Sequence, residues 1–294
     1  MAVANDLKLA AAEPMRRHES QTHRVFHRLL RSTNARVGLF LVVSFVLIAI
    51  FVHIFDDYDA RRELDLSSRL EPPSAEHWFG TDDLGRDVFR RVLHGARVSL
   101  QVAILSVSIS LLFGSMIGLV AGMVGGWSDS VLMRLMDIML AFPYVLLAIA
   151  LVTTLGPGLR NTMIAIGIVY IPVYARLSRS VALSLRNEDY VLAARSIGSK
   201  QHRILFSHIV PNGLSPIIVQ ATLSMGIAVL DAAALGFLGL GQQPPYPEWG
   251  KMLVDSLQFI LSGSWWVMLF PGLAIMLTVL GFNLLGDGLR DALD

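Results

Sequence analysis

Long runs almost free of Lys, Arg, Asp and Glu alternate with short charged segments along this chain. The clearest, Val37–Phe55, is uncharged throughout. Such runs accompany Val98–Ala121, Val131–Leu155, about Gly213–Leu238 and Ser264–Leu285. About 20 apolar helical residues cross the roughly 30 Å of hydrocarbon in a bilayer, and a backbone there must bond to itself. The pattern predicts an all-α, polytopic membrane protein. Hydrophobic residues make up 54% of the 294 and charged residues 16%, and with Gly counted the apolar share exceeds the roughly 45–50% of a soluble domain. A water-soluble single domain is excluded.

A sixth span is weaker, because the uncharged stretch from Asn161 ends before Arg176 and offers only about fourteen good hydrocarbon solutes. Basic residues favour the cytoplasmic side of short loops. Six spans with the N-terminus inside place 15 basic residues in the cytoplasm and 9 opposite, and a five-span chain entering from outside divides them identically. The five-span chain must export a tail of seven basic residues and leaves Thr162 to Ala175 without a buried role, so six spans with both termini cytoplasmic is the expectation. Residues 1–36 then form a cytoplasmic basic tail, unlike a cleavable signal peptide with its short basic region and apolar core. Within it Val25, Phe26, Leu29, Leu30 and Thr33 share a face beside Arg24, Arg28 and Arg31, the pattern of a short interfacial helix lying on the lipid bilayer. A fraying tail that only sets orientation is the simpler reading.

The segment 56–97, periplasmic in this topology, holds ten acidic and seven basic residues. Thr81 is placed to cap a short helix through Asp82, Asp83 and Leu84, and the two adjacent carboxylates read as capping or solvated groups rather than a metal or acid site. A second periplasmic loop, 239–263, contains Pro244, Pro245 and Pro247 and reads as a rigid non-helical turn. Gly114, Gly118, Gly122, Gly125 and Gly126 mark span two, while Pro143, Pro172, Pro216 and Pro271 fall in spans three to six. They suit a moving translocation bundle or ordinary close helix packing. Asp231 lies within span five, where an acid must find water, a partner or the protein interior. It reads as a helix-interface hydrogen-bonding group, a lining of a substrate path, or a residue nearer the surface than drawn.

Basic and acidic residues nearly balance, 24 against 23, which gives no support to nucleic-acid binding. The absence of cysteine removes thiolate chemistry and disulfides. No lysine completes a phosphate-binding GxxxxGK[ST] loop, no HExxH occurs, and Gly286-Asp287-Gly288 has no partner acid in view, so no catalytic, cofactor-binding or metal-binding residues are assigned.

The cytoplasmic loop 176–212 is the most informative. Tyr190, Ala193, Ala194 and Ile197 form a small face on one short helix, Gly198 offers a turn, and Ile204, Leu205 and His208 belong to a second helix ending near Pro211. Small alanines let a partner approach closely. Glu188-Asp189-Tyr190, Ala193-Ala194, Gly198 and Pro211 resemble the EAA loop of inner-membrane permeases in binding-protein-dependent ABC importers. The blocks FGTDDLGRDVFRRVLHGARVSL, AALGFLGLGQQPPYPEWGKML and WWVMLFPGLAIMLTVLGFNLLGDGLRDAL resemble the peptide/nickel branch, its dipeptide permeases in particular. These blocks and the span pattern cover the chain from about residue 30 onward.

That resemblance implies the type I importer permease fold, with 37–294 as one transmembrane permease domain of six helices in a bacterial inner membrane. It implies a non-enzymatic subunit moving dipeptides or short peptides, with oligopeptides, nickel or another small solute as the alternative cargo. Asp189, Tyr190, Ala193, Ala194 and Gly198 would dock on an ATPase, and Asp231, Pro143 and Pro172 would serve translocation or helix packing. The partners implied are a second homologous permease, two ATP-binding subunits that use ATP and Mg2+, and a solute-binding protein. The family's EAA glutamate is Leu192 here, so no salt bridge is expected from it. A passive channel, the rival class, would conduct without a nucleotide-hydrolysing subunit.

Overall fold

In the computed structural model, residues 28–56, 58–59 and 63–293 are described. The proposed interfacial face lies partly outside this range, at Arg24, Val25 and Phe26. Of its remainder, Leu29 is buried with Ala35 and Ala292, turned onto protein rather than lipid.

The helices follow the apolar runs. They are α1 (Thr33–Phe55), α2 (Val88–Val124), α3 (Gly126–Leu140), α4 (Tyr144–Leu155), α5 (Leu159–Val169) and α6 (Ile171–Leu185). Then come α7 (Asp189–Ser196), α8 (Gln201–Ile204), a π turn at Leu205–Ile209, α9 (Leu214–Phe237), α10 (Trp249–Ser256) and α11 (Trp266–Leu293). Five helices are long and apolar enough to cross a bilayer: α1, α2, the continuous α5–α6, α9 and α11. The bent pair α3–α4 supplies the sixth when its halves count as one crossing. The weak span is therefore long enough to cross and exceeds its apolar run, since helix Leu159–Leu185 runs for 27 residues and continues past Arg176 and Arg179 to Leu185.

Three sequence expectations change. Span three is not one rod: its halves meet at 89° across Ala141–Pro143, because Pro143 has no amide hydrogen to continue the ladder and instead opens α4. Span two begins ten residues earlier than expected, at Val88, where the Asp87 carboxylate accepts the Arg90 amide at 3.0 Å. The helix predicted through Asp82 to Leu84 does not form. The Thr81 hydroxyl instead donates to the Ser68 carbonyl and accepts the Glu71 amide at 2.8 Å, which stitches the loop to itself.

Helix α2 is the axis of the bundle and packs most extensively on α6. Gly114, Gly118 and Gly122 recur every four residues and so share a face. A Cβ at Gly118 would stand 2.1 Å from the Ala175 carbonyl oxygen, and one at Gly114 2.5 Å from that of Ile171. The facing residues Ala175, Ser178 and Ala182 are buried and small. These glycines are contact points between backbones. At the flank of the bundle Gly38, Gly281 and Gly288 do the same for α1 on α11, which also packs on α9.

The upper end, carrying residues 56–97, is held by polar and indole bolts. Asp82 is buried, accepts the Leu84 and Arg86 amides at 2.9 Å each, and pairs with the side chains of Arg86 at 2.7 Å and Arg91 at 3.4 Å. It is thus neither solvated nor a helix cap but the charged centre of a folded turn. The indoles of Trp249 and Trp266 donate to the carbonyls of Val92 at 2.9 Å and Thr81 at 3.0 Å, tying α10 and α11 to α2 and its leading loop. After the proline-rich turn the chain is helical again, because the Glu248 carboxylate accepts the Gly250 and Lys251 amides at 2.7 and 2.8 Å and starts α10. That carboxylate also fills the space a Cβ at Gly236 would need.

Two predictions follow from these contacts. Gly118→Leu drives a side chain into the Ala175 backbone and costs on the order of 3 kcal/mol, so its folded abundance in membranes falls, whereas Gly272→Ala, with its nearest neighbour 3.9 Å away, matches the parent. Burial pushes the Glu248 carboxyl up to about 7. The native chain therefore holds this proton more tightly than the unfolded chain, and the contribution to stability declines as pH rises from the ordinary carboxyl range through about 7. In Glu248→Gln an amide faces a backbone N–H, so the melting temperature drops overall, but its decline between pH 5 and pH 8 is shallower than in the parent.

Candidate coupling loop and polar membrane site

Between α6 and α9 the chain turns back at the lower end of the bundle. Asp189 sits in the first turn of α7, where a negative charge suits the helix N-terminus. The helix closes on Gly198, whose φ of +80° suits glycine, with the Ser199 amide on the Ala194 carbonyl at 3.1 Å and the Gly198 amide on the Arg195 carbonyl at 3.0 Å. Val191 and Ala194 turn inward onto Met123, Ala182, Ile204 and Ile209. Tyr190, Leu192, Ala193 and Ile197 turn outward, Ile197 being 83% exposed. Of the expected docking face, then, Ala194 is a core residue that anchors the helix, and Leu192 joins the outward surface. The Tyr190 ring lies over His208 of the π turn, so the two short segments form one unit. No Cβ placed on Gly198 would meet an atom within 4 Å, which leaves this turn open toward a partner.

This unit continues directly from α6, which is fastened to the broken span. Arg179 makes two contacts to Asp129 of α3, at 2.5 and 2.6 Å, and Arg176 pairs with Asp137 at 2.6 Å. Arg186 donates to the Gly122 carbonyl at 3.0 Å. Among the residues of α3 only Met136 is buried, so the helix is held to the bundle largely by these charges.

Higher up, the Tyr170 hydroxyl donates to Asp231 Oδ2 at 2.8 Å, and Tyr144 lines the same small cavity with its ring beside that of Tyr170. Tyr170 stands where α5 passes into α6, and Tyr144 is the first residue after Pro143. Pro143 is exposed and Pro172 buried in the first turn of α6. The two prolines therefore lie beside the tyrosines that share this cavity with Asp231, and neither offers the carboxylate a hydrogen-bond donor. Sequence reasoning singled out Asp231 and the prolines but missed both tyrosines, which stand far from it in the chain. At the upper end an open cavity of about 690 Å³ is lined by Asp56, Tyr58, His94, Gln101, Gln242 and Tyr246 among others.

Residues 114–294 match the family described as binding-protein-dependent transport system inner membrane component, and residues 20–73 match the N-terminal transmembrane domain of oligopeptide transport permease C. The chain is 58% identical to the dipeptide transport system permease protein DppC of Alkalihalophilus pseudofirmus, over 92% of this chain and 88% of that one. It is 47% identical to the di/tripeptide transport system permease protein DppC of Pseudomonas aeruginosa, over 97% and 95%. It is 44% identical to the glutathione transport system permease protein GsiD of Escherichia coli O157:H7, over 100% and 95%. With more than half its length in the family model and close relatives along nearly all of it, the chain belongs to the inner-membrane permease components of binding-protein-dependent transport systems.

Proposed function

We propose that this permease translocates dipeptides or short peptides across the bacterial inner membrane, driven by separate ATP-binding subunits that dock on α7 and its Gly198 turn. The observation that carries the cargo is the 58% identity to a dipeptide permease along 92% of the chain. Relatives named for di/tripeptides and glutathione keep the same peptide class. The docking role is supported by the outward set Tyr190, Leu192, Ala193 and Ile197 on a helix whose inward face is already anchored. A second, homologous permease completes the pathway, two ATP-binding subunits use ATP and Mg2+ below, and a solute-binding protein delivers cargo to the upper end. This chain itself is a non-catalytic subunit. Both termini and the α7 loop are cytoplasmic in this reading, with 56–97 and 239–263 periplasmic, which keeps the seven basic residues of the tail and the basic α7 loop on one side.

Reconstitution of the full complex in proteoliposomes tests the cargo: dialanine with the binding protein is expected to stimulate ATP hydrolysis and to accumulate inside, and neither occurs if the cargo is of another class. For docking, Ile197→Asp places a charge on an exposed position that supports no core contact. Co-purified ATPase and stimulated hydrolysis are expected to fall by about tenfold at unchanged membrane abundance. Gly198→Trp falls as well, but its positive φ adds backbone strain, so Ile197→Asp is the decisive variant. Orientation is read with single thiols in a chain that has none. An impermeant reagent is expected to label Asp65→Cys in intact cells and to reach Ser20→Cys only after lysis.

A further inference from the structure

Asp231 is the eighteenth of the 24 residues of α9, six residues below its upper end at Phe237, about 9 Å at 1.5 Å per residue. A carboxylate at that depth needs hydrogen bonds and a balancing charge. Tyr170 provides the first, and Tyr144 lines the same cavity. They do not provide the second, because a phenol donates a proton without carrying charge. The cavity these three residues line is completed by Val145, Ala148, Ile166, Val169, Ala234 and Leu235. None of them is cationic.

The geometry is that of an open site and not of a sealed clamp. Tyr144 is 51% exposed, and Phe142 and Leu230, near Tyr144 and Asp231 respectively in the chain, are also exposed, at 57% and 51%. The cavity has a free volume of about 20 Å³, enough for one group the size of a water molecule. An ammonium group has that size, and its N–H donors match an acceptor-only carboxylate. Small side chains at Ala148 and Ala234 keep the space clear on both helices. Tyr144 also begins the half-span that follows the 89° bend, so one side of the site belongs to the bent span whose other half, α3, is gripped by α6 through Asp129 and Asp137.

Resting on the peptide cargo proposed above, we infer that Asp231, with Tyr144 and Tyr170, is a transit site for the α-ammonium group of the peptide. Every peptide with a free N-terminus carries this group, largely protonated near pH 7 because its ordinary pKa is about 7.7–8.0. Recognition of it is therefore independent of side chains, which suits a path that must pass many sequences. Tyr170 positions the carboxylate, and the cation is supplied by the cargo.

The test uses the complete complex in proteoliposomes, with dialanine as the probe and Asp231→Asn and Asp231→Glu as the variants. Uptake by Asp231→Asn is expected to fall tenfold or more, uptake by Asp231→Glu to stay within threefold of the parent, and the amount of second permease that co-purifies to be equal in all three. Normal uptake by Asp231→Asn overturns the inference, leaving a hydrogen-bonding role that an amide fulfils. Loss of the second permease from Asp231→Asn also overturns it, since the balancing cation then belongs to that partner. An equal loss with Asn and Glu in an intact complex overturns it as well, because charge is then not the determinant. Failure of the parent complex to take up dialanine is a different result, which removes the peptide cargo itself.

Discussion

Contact between the backbones of α2 and α6 organises this molecule. In hydrocarbon no hydrophobic drive separates one apolar helix surface from another, so association depends on close packing and on the polar groups it brings together. The glycines at 114, 118 and 122 let α6 lie directly on α2. That approach brings Arg186 to the Gly122 carbonyl and sets α6 where Arg176 and Arg179 reach the acids of α3. The α5 end of the same rod lies against α2 through the Ser106 hydroxyl, which donates to the Met163 carbonyl at 3.0 Å. Without the glycine track, neither the ion pairs nor the position of Tyr170 beside Asp231 would persist.

The same rod connects the two ends of the proposed machinery. It begins near the loop after α9, where the Thr162 hydroxyl donates to the Leu240 carbonyl at 3.0 Å, and ends at the turn into α7. Along it Tyr170, Arg176 and Arg179 each meet a polar group on another element. A displacement of α7 would reach the bent span through salt bridges at its lower half and through the tyrosine pair at its upper half.

Spans one, two, five and six are legible in the sequence because a continuous apolar run is sufficient for a crossing. What escapes is what depends on distant partners. Arg90 and Arg91 look like loop residues, yet α2 includes them, since Arg90 is answered by Asp56 and Glu63 and Arg91 by Asp82. Thr81 followed by two acids has the local pattern of a cap, but its hydroxyl is used across the loop at Ser68. Pro143 announces an interruption and cannot announce an angle. Asp231 is conspicuous as a cost, while Tyr170 is an ordinary aromatic until a separation of 61 residues is closed. In the loop between α6 and α9 the short helices and the Gly198 turn are readable from spacing, but the inward turn of Ala194 depends on Met123 and Ala182 behind it.

The sparse burial of α3 has a consequence for the life of the polypeptide. With Trp127 80% exposed, and the Asp137 and Arg176 side chains 50% and 55% exposed, an isolated chain presents around α3 a surface that combines loose packing with ionised groups. If the second permease of the proposed complex covers α3, an unpaired copy is expected to be shorter-lived than a paired one.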